Sequence, residues 1–192
     1  INPMDTMTIS VDWWQIEIAD TINNIGATTI LEQCGLYGAA CENIIRGPNG
    51  NLWQGTAGYV LDTTLNLGEN KWSGIDLAFN WATEGFGGTW TTNMIGTYML
   101  DRTITPLPAE PDSAYDCVGL ISTRCYPAPE WRHTISTQYD SNEWWSVTAR
   151  WRYFDGVKYP DTADAIAADN MKKAQNYIDL SAVFRFMENH DV

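Results

Sequence analysis

Basic residues are scarce in this chain of 192 residues: 11 Lys and Arg stand against 24 Asp and Glu, for a formal net charge of −13. Proteins that bind nucleic acids need a surplus of Lys and Arg to contact phosphates, so this balance argues against a nucleic-acid partner. Long apolar runs are also missing. Without about 20 consecutive apolar residues the chain contains no membrane-spanning helix, although this test does not exclude strands that span a membrane.

Cysteine is rare, and the 4 cysteines form two close pairs, Cys34 with Cys41 and Cys117 with Cys125. Each pair lies in a segment rich in Gly, Pro and small residues. Neither pair has the CxxC spacing of a zinc site, and the two histidines lie apart from both pairs. We therefore expect no metal site and no cofactor. Two local loop disulfides, formed in an oxidising compartment, are favoured over free thiols.

Catalytic signatures are absent as well. The sequence contains no GxSxG, HExxH, P-loop or Rossmann fingerprint. Its acidic pairs are typical of solvated loops. We therefore predict no catalytic residue and no enzymatic activity.

What the sequence does contain is an alternation of apolar and polar residues with a period of two, which predicts β-strands. The strands are predicted at 8–18, 75–82, 90–100, 131–139, 145–153 and 178–186. Turns at 83–88 and 140–142 are short, whereas the connections 20–54, 102–130 and 155–176 are long. Because long and short connections alternate, antiparallel pairing would place every long loop at the same end of the sheet.

Three segments within the long connections are less regular. Residues 21–33 and 163–176 have the composition of short helical pieces. Residues 56–67 fit two placements equally well, either as the outer part of the strand that continues through Trp72 or as a hairpin arm within the first long loop.

Aromatic residues make up 12% of the chain and flank the strands at both ends. One row lies beside the short turns and the other toward the long loops, roughly 20 Å apart for strands tilted by about 40°. Such rows are typical of the two aromatic girdles of an outer-membrane barrel, and Trp and Tyr favour these lipid–water boundaries. The candidate lipid-facing and girdle residues are Trp81, Trp90, Tyr98, Trp131, Trp145, Trp151 and Tyr153.

Four arginines occupy the polar positions of these alternating strands. Arg132, Arg150, Arg152 and Arg185 all alternate with apolar neighbours, so they point away from the apolar face. In a wide barrel that face lines a polar lumen, and these four residues are the lumen-facing candidates. In a sandwich the same face is ordinary solvent-exposed surface.

Several stretches taken together resemble a known family. They are SVDWWQIEIADTI, WSGIDLAFNW, GTYMLDR, DCVGLISTRCYPAPEWRH and WWSVTARWRYFDGV. In order and spacing they are similar to the C-terminal half of the barrel of TonB-dependent outer-membrane receptors, and the likeness runs from about residue 8 to residue 186. It implies an all-β fold in which antiparallel strands form part of a transmembrane β-barrel, about six strands of the 22 in the family's barrel. The short turns would be periplasmic and the long loops extracellular.

The resemblance also implies a function and its partners. Family members import scarce nutrients, of the siderophore, cobalamin or oligosaccharide class, through a plugged barrel in the cell outer membrane. Solute specificity would lie in loops 20–54, 102–130 and 155–176, although the ligand-binding residues themselves are not identified. The expected partners are the remaining barrel strands and a plug domain, in the same or another chain, together with TonB acting through that plug, outer-membrane lipid and the solute.

The chain departs from the family pattern in extent. Residues 1–192 correspond to a single barrel segment without the plug domain. An isolated sheet of six strands would expose two unpaired edges to hydrocarbon, which cannot satisfy them. We therefore expect a piece of a longer polypeptide or an element completed by other chains. The alternative hypothesis is a secreted soluble β-sandwich that binds carbohydrate through exposed Trp residues.

Overall fold

The computed structural model describes residues 4–52, 57–122, 124–160 and 170–185. The strands are β1 (Met7–Asn24), β2 (Ile44–Ile45), β3 (Tyr59–Val60), β4 (Thr64–Gly85), β5 (Gly88–Thr105), β6 (Tyr115–Asp116), β7 (Trp131–Asp140), β8 (Trp145–Phe154), β9 (Val157–Lys158), β10 (Met171–Lys172) and β11 (Gln175–Phe184). One helix, α1, spans Ala27–Tyr37. None of the helices in the described part has the length and apolar character needed to cross a membrane.

One antiparallel sheet carries most of these strands, in the order β1, β4, β5, β7, β8, β11, with β6 paired to β5. The pairs β5–β7, β7–β8 and β8–β11 are all antiparallel. Two small ribbons, β2 with β3 and β9 with β10, lie outside this sheet. Among the described strands the sheet does not close, because β1 and β11 each have one neighbour. The predicted all-β, antiparallel architecture is confirmed, as a partial barrel.

The two short turns have the backbone geometry that tight hairpins require. Between β4 and β5, Phe86 and Gly87 both have positive φ, 56° and 81°. Two successive residues with positive φ form the type I′ turn that suits the twist of paired strands, and glycine adopts this geometry without strain. Between β7 and β8 the Ser141 hydroxyl donates to the Trp145 carbonyl at 2.8 Å, which fixes the second turn.

The first three long strands exceed their predicted bounds. β1, β4 and β5 contain 18, 22 and 18 residues, whereas β7, β8 and β11 contain 10 each. About 9–11 residues of a tilted strand cross a bilayer, so the longer strands have residues to spare at one end. The alternation fades in that part because neither face needs to be uniformly apolar. The predicted long connections 20–54 and 102–130 therefore begin later than expected.

The less regular segments also differ from expectation. The helix predicted at 21–33 lies at Ala27–Tyr37, because residues up to Asn24 continue β1. The helix predicted at 163–176 is wrong for 171–176, where β10 and the start of β11 are extended, and 161–169 lie outside the described residues. Both placements of 56–67 are partly right: β3 pairs with β2 within the loop, and β4 begins at Thr64. Residues 53–56 lie outside the described part.

The chain divides into two compact units. The first, the wall unit, comprises Ile1–Trp14, Ser73–Leu100 and Val118–Val192. The second, the loop unit, comprises Gln15–Trp72 and Asp101–Cys117.

Each unit has few fully buried side chains. In the loop unit these centre on α1, where Ile30 and Thr29 are buried. In the wall unit they include Ala128 and Val157, which lie outside the long strands. The middle of the main sheet therefore lacks a second layer in the described structure.

Candidate functional site

The strand register of the wall unit assigns its side chains to two faces. On one face Ile135 of β7, Trp151 of β8 and Ile178 of β11 lie side by side. On the same face Trp90 of β5 pairs with Tyr139 of β7. Side chains alternate across a strand, so this face carries the apolar phase that the sequence predicts. We call it the aromatic face.

Two groups of rings lie at opposite ends of the aromatic face. The turn-side cluster contains Trp90, Tyr139 and Trp145, with ring centroids 4.9 Å and 5.2 Å from Tyr139 to the other two. The Tyr139 hydroxyl donates to the carbonyl of Phe86, at 2.9 Å, within the adjacent hairpin turn. A phenol with its ring on an apolar surface and its hydroxyl at a turn has the amphipathic placement expected at a lipid–water boundary.

The loop-side cluster contains Trp131, His133, Trp151 and Tyr153. The imidazole of His133 lies at its centre, 4.6 Å from the Trp151 ring and 5.2 Å from the Tyr153 ring. The indole Nε1 of Trp131 donates to His133 Nδ1 at 2.8 Å. From Trp145 to Tyr153 the two clusters are eight residues apart along β8, about 26 Å at 3.3 Å per residue. For a strand tilted by about 40° this corresponds to a height of roughly 20 Å, comparable to an apolar band about 25 Å tall.

The aromatic residues predicted from the sequence mostly meet in these two clusters. Trp90 and Trp145 belong to the first, and Trp131, Trp151 and Tyr153 belong to the second. Tyr98 pairs with Trp131 across the sheet, and its hydroxyl donates to the carboxylate of Glu130. Trp81 is part of β4 and is half-buried, without a described ring contact.

Sequence reasoning missed two features of this face. It did not place His133 at the centre of an aromatic group. It also did not find Glu130 as the partner of Tyr98. The sequence does indicate the position of His133, because His133 is two residues from Trp131 in the same strand and therefore lies on the same face.

The opposite face of the same strands carries the predicted arginines. Arg152 of β8 pairs in register with Thr134, and Arg150 with Ser136. Arg152 forms an ion pair with Asp179 of β11 at 3.0 Å, and its guanidinium lies 5.4 Å from the Tyr177 ring centroid. Arg185 forms an ion pair with Asp140. We call this the arginine face.

The four arginines thus divide into two kinds. Arg152 and Arg185 are ion-paired between strands and tie β11 to its neighbours. Arg132 and Arg150 are exposed and form no ion pair with the described residues. Because Arg152 and Arg185 are held in ion pairs, Arg132 and Arg150 carry the two guanidinium groups of this set that have no carboxylate partner among the described residues.

The loop unit is organised by α1 and the first disulfide. α1 ends at Tyr37 and is followed by Gly38, which has a left-handed φ of 74° and donates its backbone N–H to the carbonyl of Cys34. Glycine is the usual residue at this position because it has no Cβ to clash. A disulfide between Cys34 and Cys41 then closes the turn that follows.

Two further contacts hold the loop unit together. The Asp62 carboxylate accepts from the backbone N–H of Gly26 at 3.0 Å, just before α1. The Tyr37 hydroxyl is hydrogen-bonded to Asp112, and the negative charge of that carboxylate, followed by the hydrogen bond itself, raises the pKa of Tyr37 above 10.0. Both contacts join segments that are distant in sequence.

The loop unit contains a cavity of about 560 Å³, which we call the loop cavity. This volume lies within the range of small-molecule sites, about 300–1,000 Å³. Its described walls combine small or apolar side chains with several carboxylates, and no basic residue is among the described lining residues. It is lined by Asp20, Ile25, Ala39, Ala40, Glu42, Asn43, Leu65, Glu69, Leu107, Pro108, Ala109 and Glu110.

Cys117 and Cys125 are both disulfide-bonded, so the four cysteines form the two predicted pairs. Within the described ranges no three His, Cys, Asp or Glu side chains are grouped so as to hold a metal ion.

Comparison with known families matches residues 2–190 to the family model described as TonB dependent receptor-like, beta-barrel. The chain belongs to this family. The match covers the aromatic face, the arginine face and the loop unit together. Comparison with curated proteins and with solved structures found no match.

Membership of the TonB-dependent receptor family settles the general class. Proteins of this family are receptors and transporters of the outer membrane rather than enzymes, and their barrel works with a plug and with TonB. The soluble sandwich alternative would need a second sheet over the aromatic face. In the described residues only two-stranded ribbons accompany the main sheet. The family and the single-layered sheet both favour the barrel.

Proposed function

We propose that this chain forms part of the wall of a TonB-dependent receptor that imports a scarce nutrient of the siderophore, cobalamin or oligosaccharide class. The observation that carries the proposal is the division of one antiparallel sheet into two chemically different faces. The aromatic face carries ring clusters at both ends, as expected of a lipid-facing surface. The arginine face carries charged groups, as expected of a lumen that solute crosses.

The proposal assigns an orientation. The turns at Phe86 and Asn142 face the periplasm, and the long connections within 20–54, 102–130 and 155–176 face the exterior. Arg132 and Arg150 point into the lumen, where their free guanidinium groups contact the plug or the solute. The remaining strands and the plug, from the same or another chain, complete the receptor in the outer membrane.

Within the exterior loops we propose the loop cavity as a solute contact. Its volume and its mixture of apolar walls with a few polar groups are typical of ligand sites. Two segments far apart in sequence, near Ala39 and near Ala109, contribute to its lining. Both segments belong to loops to which the resemblance assigns solute specificity.

Uptake measurements test the proposal. Cells that carry the complete receptor are offered, in turn, a radiolabelled ferric siderophore, cobalamin and a maltooligosaccharide. We expect one of them to accumulate, and we expect accumulation to stop when the receptor is deleted or when the inner membrane is de-energised. Accumulation of all three without energy dependence would indicate an open pore and refute the proposal.

The cavity assignment has its own matched test. Ala39→Trp fills the loop cavity, whereas Gly35→Trp places the same side chain on α1 at a position with open space around it. We expect Ala39→Trp to lower uptake at limiting solute at least about tenfold, because a filled pocket loses the contacts that orient the solute. We expect Gly35→Trp to retain uptake. Equal effects of the two variants would remove the cavity from the proposal and leave the transport class standing.

A further inference from the structure

Left-handed backbone is rare outside glycine in the described part of the chain. Four residues other than glycine have a positive φ there, namely Asp20, Ala40, Phe86 and Asn142. Phe86 and Asn142 lie in the two short turns, where such backbone is part of the turn itself. Asp20 and Ala40 lie in neither turn, and both line the loop cavity. Because residues held in sparsely populated backbone regions concentrate at ligand sites, this coincidence points to the cavity wall.

Ala40 needs outside support for its conformation. Its φ is 58° and its ψ is 21°. Left-handed backbone is disfavoured about 5–30-fold for a residue that carries a Cβ. Asn and Asp adopt it more readily, because their side chains can form local hydrogen bonds, and an alanine has no such group. The neighbours of Ala40 must therefore hold its backbone in place.

The first disulfide supplies support on one side. Ala40 directly precedes Cys41, whose sulfur is bonded to Cys34 in the last turn of α1. The N–H of Ala39 donates to the carbonyl of Gln33 at 3.2 Å, so the residue before Ala40 is also attached to this helix. The two attachments leave the backbone of Ala40 little room to rotate. Neither cysteine is among the described residues that line the loop cavity.

On its other side Ala40 leads into a short helical turn. The Ala40 carbonyl accepts from the N–H of Asn43 at 3.2 Å, and the Asn43 carbonyl accepts from the N–H of Leu61 at 2.8 Å. Ala39, Ala40, Glu42 and Asn43 all line the loop cavity. We call residues 39–43 the cavity wall. A rotation at Ala40 would therefore move a continuous part of the cavity lining.

We propose that the Cys34–Cys41 disulfide positions the solute site: it holds Ala40 in its left-handed conformation and thereby keeps the cavity wall in place before a solute arrives. A pre-formed site loses less conformational freedom on binding, so it binds more tightly. The two cysteines act through Ala40 and are positioning residues rather than solute contacts. The proposal rests on the proposed role of the loop cavity as a solute contact.

The size of the effect follows from the residue at position 40. Without the disulfide, the cavity wall has its native arrangement only while residue 40 is left-handed, and the apparent affinity falls in proportion to that population. For an alanine the expected loss is about 5–30-fold. For a glycine, which adopts positive and negative φ about equally, the expected loss is only about twofold.

The test measures solute binding to the complete receptor in detergent micelles. Three radiolabelled probes are used, a ferric hydroxamate siderophore, cobalamin and maltohexaose. The probe that binds the wild type is titrated against the double variant Cys34→Ser with Cys41→Ser, and we expect the Kd to rise about 5–30-fold. In intact cells the same variant should need correspondingly more solute for half-maximal uptake. Maximal uptake per receptor, with receptors counted by immunoblot, should stay at the wild-type level. An unchanged Kd would overturn the proposal.

Two glycine variants distinguish a held backbone from general loosening of the loop. Ala40→Gly, added to the double Ser variant, should return the Kd to within about threefold of the wild type. Ala39→Gly in the same background is the matched control, because Ala39 is adjacent but is not left-handed. It should restore nothing. Equal recovery in both variants, or no recovery with Ala40→Gly, would overturn the proposal.

Reduction of the folded receptor removes the disulfide without requiring the chain to fold in its absence. Tris(2-carboxyethyl)phosphine cleaves the S–S bond to two thiols and is oxidised to its phosphine oxide, with the oxygen and both protons supplied by water. Cys34 and Cys41 are half-buried, whereas Cys117 and Cys125 are fully buried, so the first disulfide should react first. Alkylation and mass spectrometry identify the reduced pair. The receptor reduced at Cys34 and Cys41 should show the same rise in Kd, and wild-type affinity at that stage would overturn the proposal.

The outcomes separate this proposal from the proposed function. If none of the three probes binds or accumulates, the proposed function is refuted, and the positioning role is overturned with it. If one probe binds and accumulates, and the receptor without the disulfide binds it as tightly as the wild type, only the positioning role is overturned.

Discussion

A pair of neighbouring residues in β11 tests the assignment of the two faces. Leu180 lies on the aromatic face opposite Ala149, and Ser181 lies on the arginine face opposite Thr148. Leu180 is 75% exposed, so its replacement opens no cavity inside the protein. We introduce the same charged group at both positions, as Leu180→Arg and Ser181→Arg.

The expected costs follow from what surrounds each side chain. An arginine on the lipid face near the bilayer midplane costs about 2–4 kcal/mol. Loss of the leucine from lipid adds about 1–2 kcal/mol, since about 0.8 kcal/mol is lost per buried methylene group. Leu180→Arg should therefore destabilise the folded receptor by roughly 3–6 kcal/mol. Ser181→Arg faces water beside the Asp179 carboxylate and should cost less than about 1 kcal/mol.

The assay is reversible folding of the complete receptor into lipid vesicles, followed by tryptophan fluorescence during a denaturant titration. Each variant is compared with the wild type at the same lipid composition. A difference between the two variants of less than about 1 kcal/mol would refute the face assignment. A larger cost for Ser181→Arg would reverse it, and the arginine face would then be the one buried in lipid.

Three other perturbations test local features of the structure. A methyl group added by Gly96→Ala would overlap the Trp131 ring. We therefore expect the free energy of unfolding to fall by about 1–3 kcal/mol and the indole fluorescence spectrum to change. An unchanged spectrum would contradict this packing. Replacing Cys34 and Cys41 by Ser opens a loop that the disulfide closes over a separation of 7 residues. This change should lower the stability of the loop unit by about 2–3 kcal/mol. We expect faster amide hydrogen exchange in α1, with unchanged exchange in β7 as the control. The pKa of Tyr37 is raised by Asp112, so the Tyr37–Asp112 contact contributes stability below the ordinary phenol pKa and loses it as pH rises through the raised value. Asp112→Asn should shift the phenolate absorbance of Tyr37 to lower pH, with Tyr37→Phe identifying that signal, and an unshifted titration would rule the contact out.

The strand cores and their faces could be predicted because they depend on local sequence alone. In β8, successive side chains such as those of Ala149 and Arg150 point to opposite faces of an extended backbone, and the structure confirms this alternation. The same argument could not predict how far β1 and β4 extend. Outside the predicted bounds these strands contain runs of polar residues, Asn23 and Asn24 in β1 and Glu69, Asn70 and Lys71 in β4, so the period that marks a strand disappears while the hydrogen-bonded ladder continues.

The helix at 163–176 was predicted from its Ala- and Lys-rich composition, and propensity is a weak signal when strand pairing competes with it. Met171 and Lys172 pair with β9, and Gln175 continues into β11. These residues are extended because their backbone groups form ladder hydrogen bonds with β9 and β8. The loop cavity could not be predicted from the sequence for a different reason. It is lined by residues from Asp20 to Glu110, in segments that come together only through folding.

The exposed edges of the sheet show why its two faces can serve as a lipid-facing and a lumen-facing surface only when further strands complete a barrel. Every residue of β11 is exposed, on the aromatic face and on the arginine face alike, and Ile178 is 73% exposed. In hydrocarbon an unpaired edge would leave backbone N–H and C=O groups without partners, at a cost of several kcal/mol each. In the proposed orientation Ile178 and Leu180 can therefore face lipid only when β1 and β11 pair with further strands. In the proposed orientation those strands would also enclose Arg132 and Arg150, and the arginine face would then form the wall of a passage.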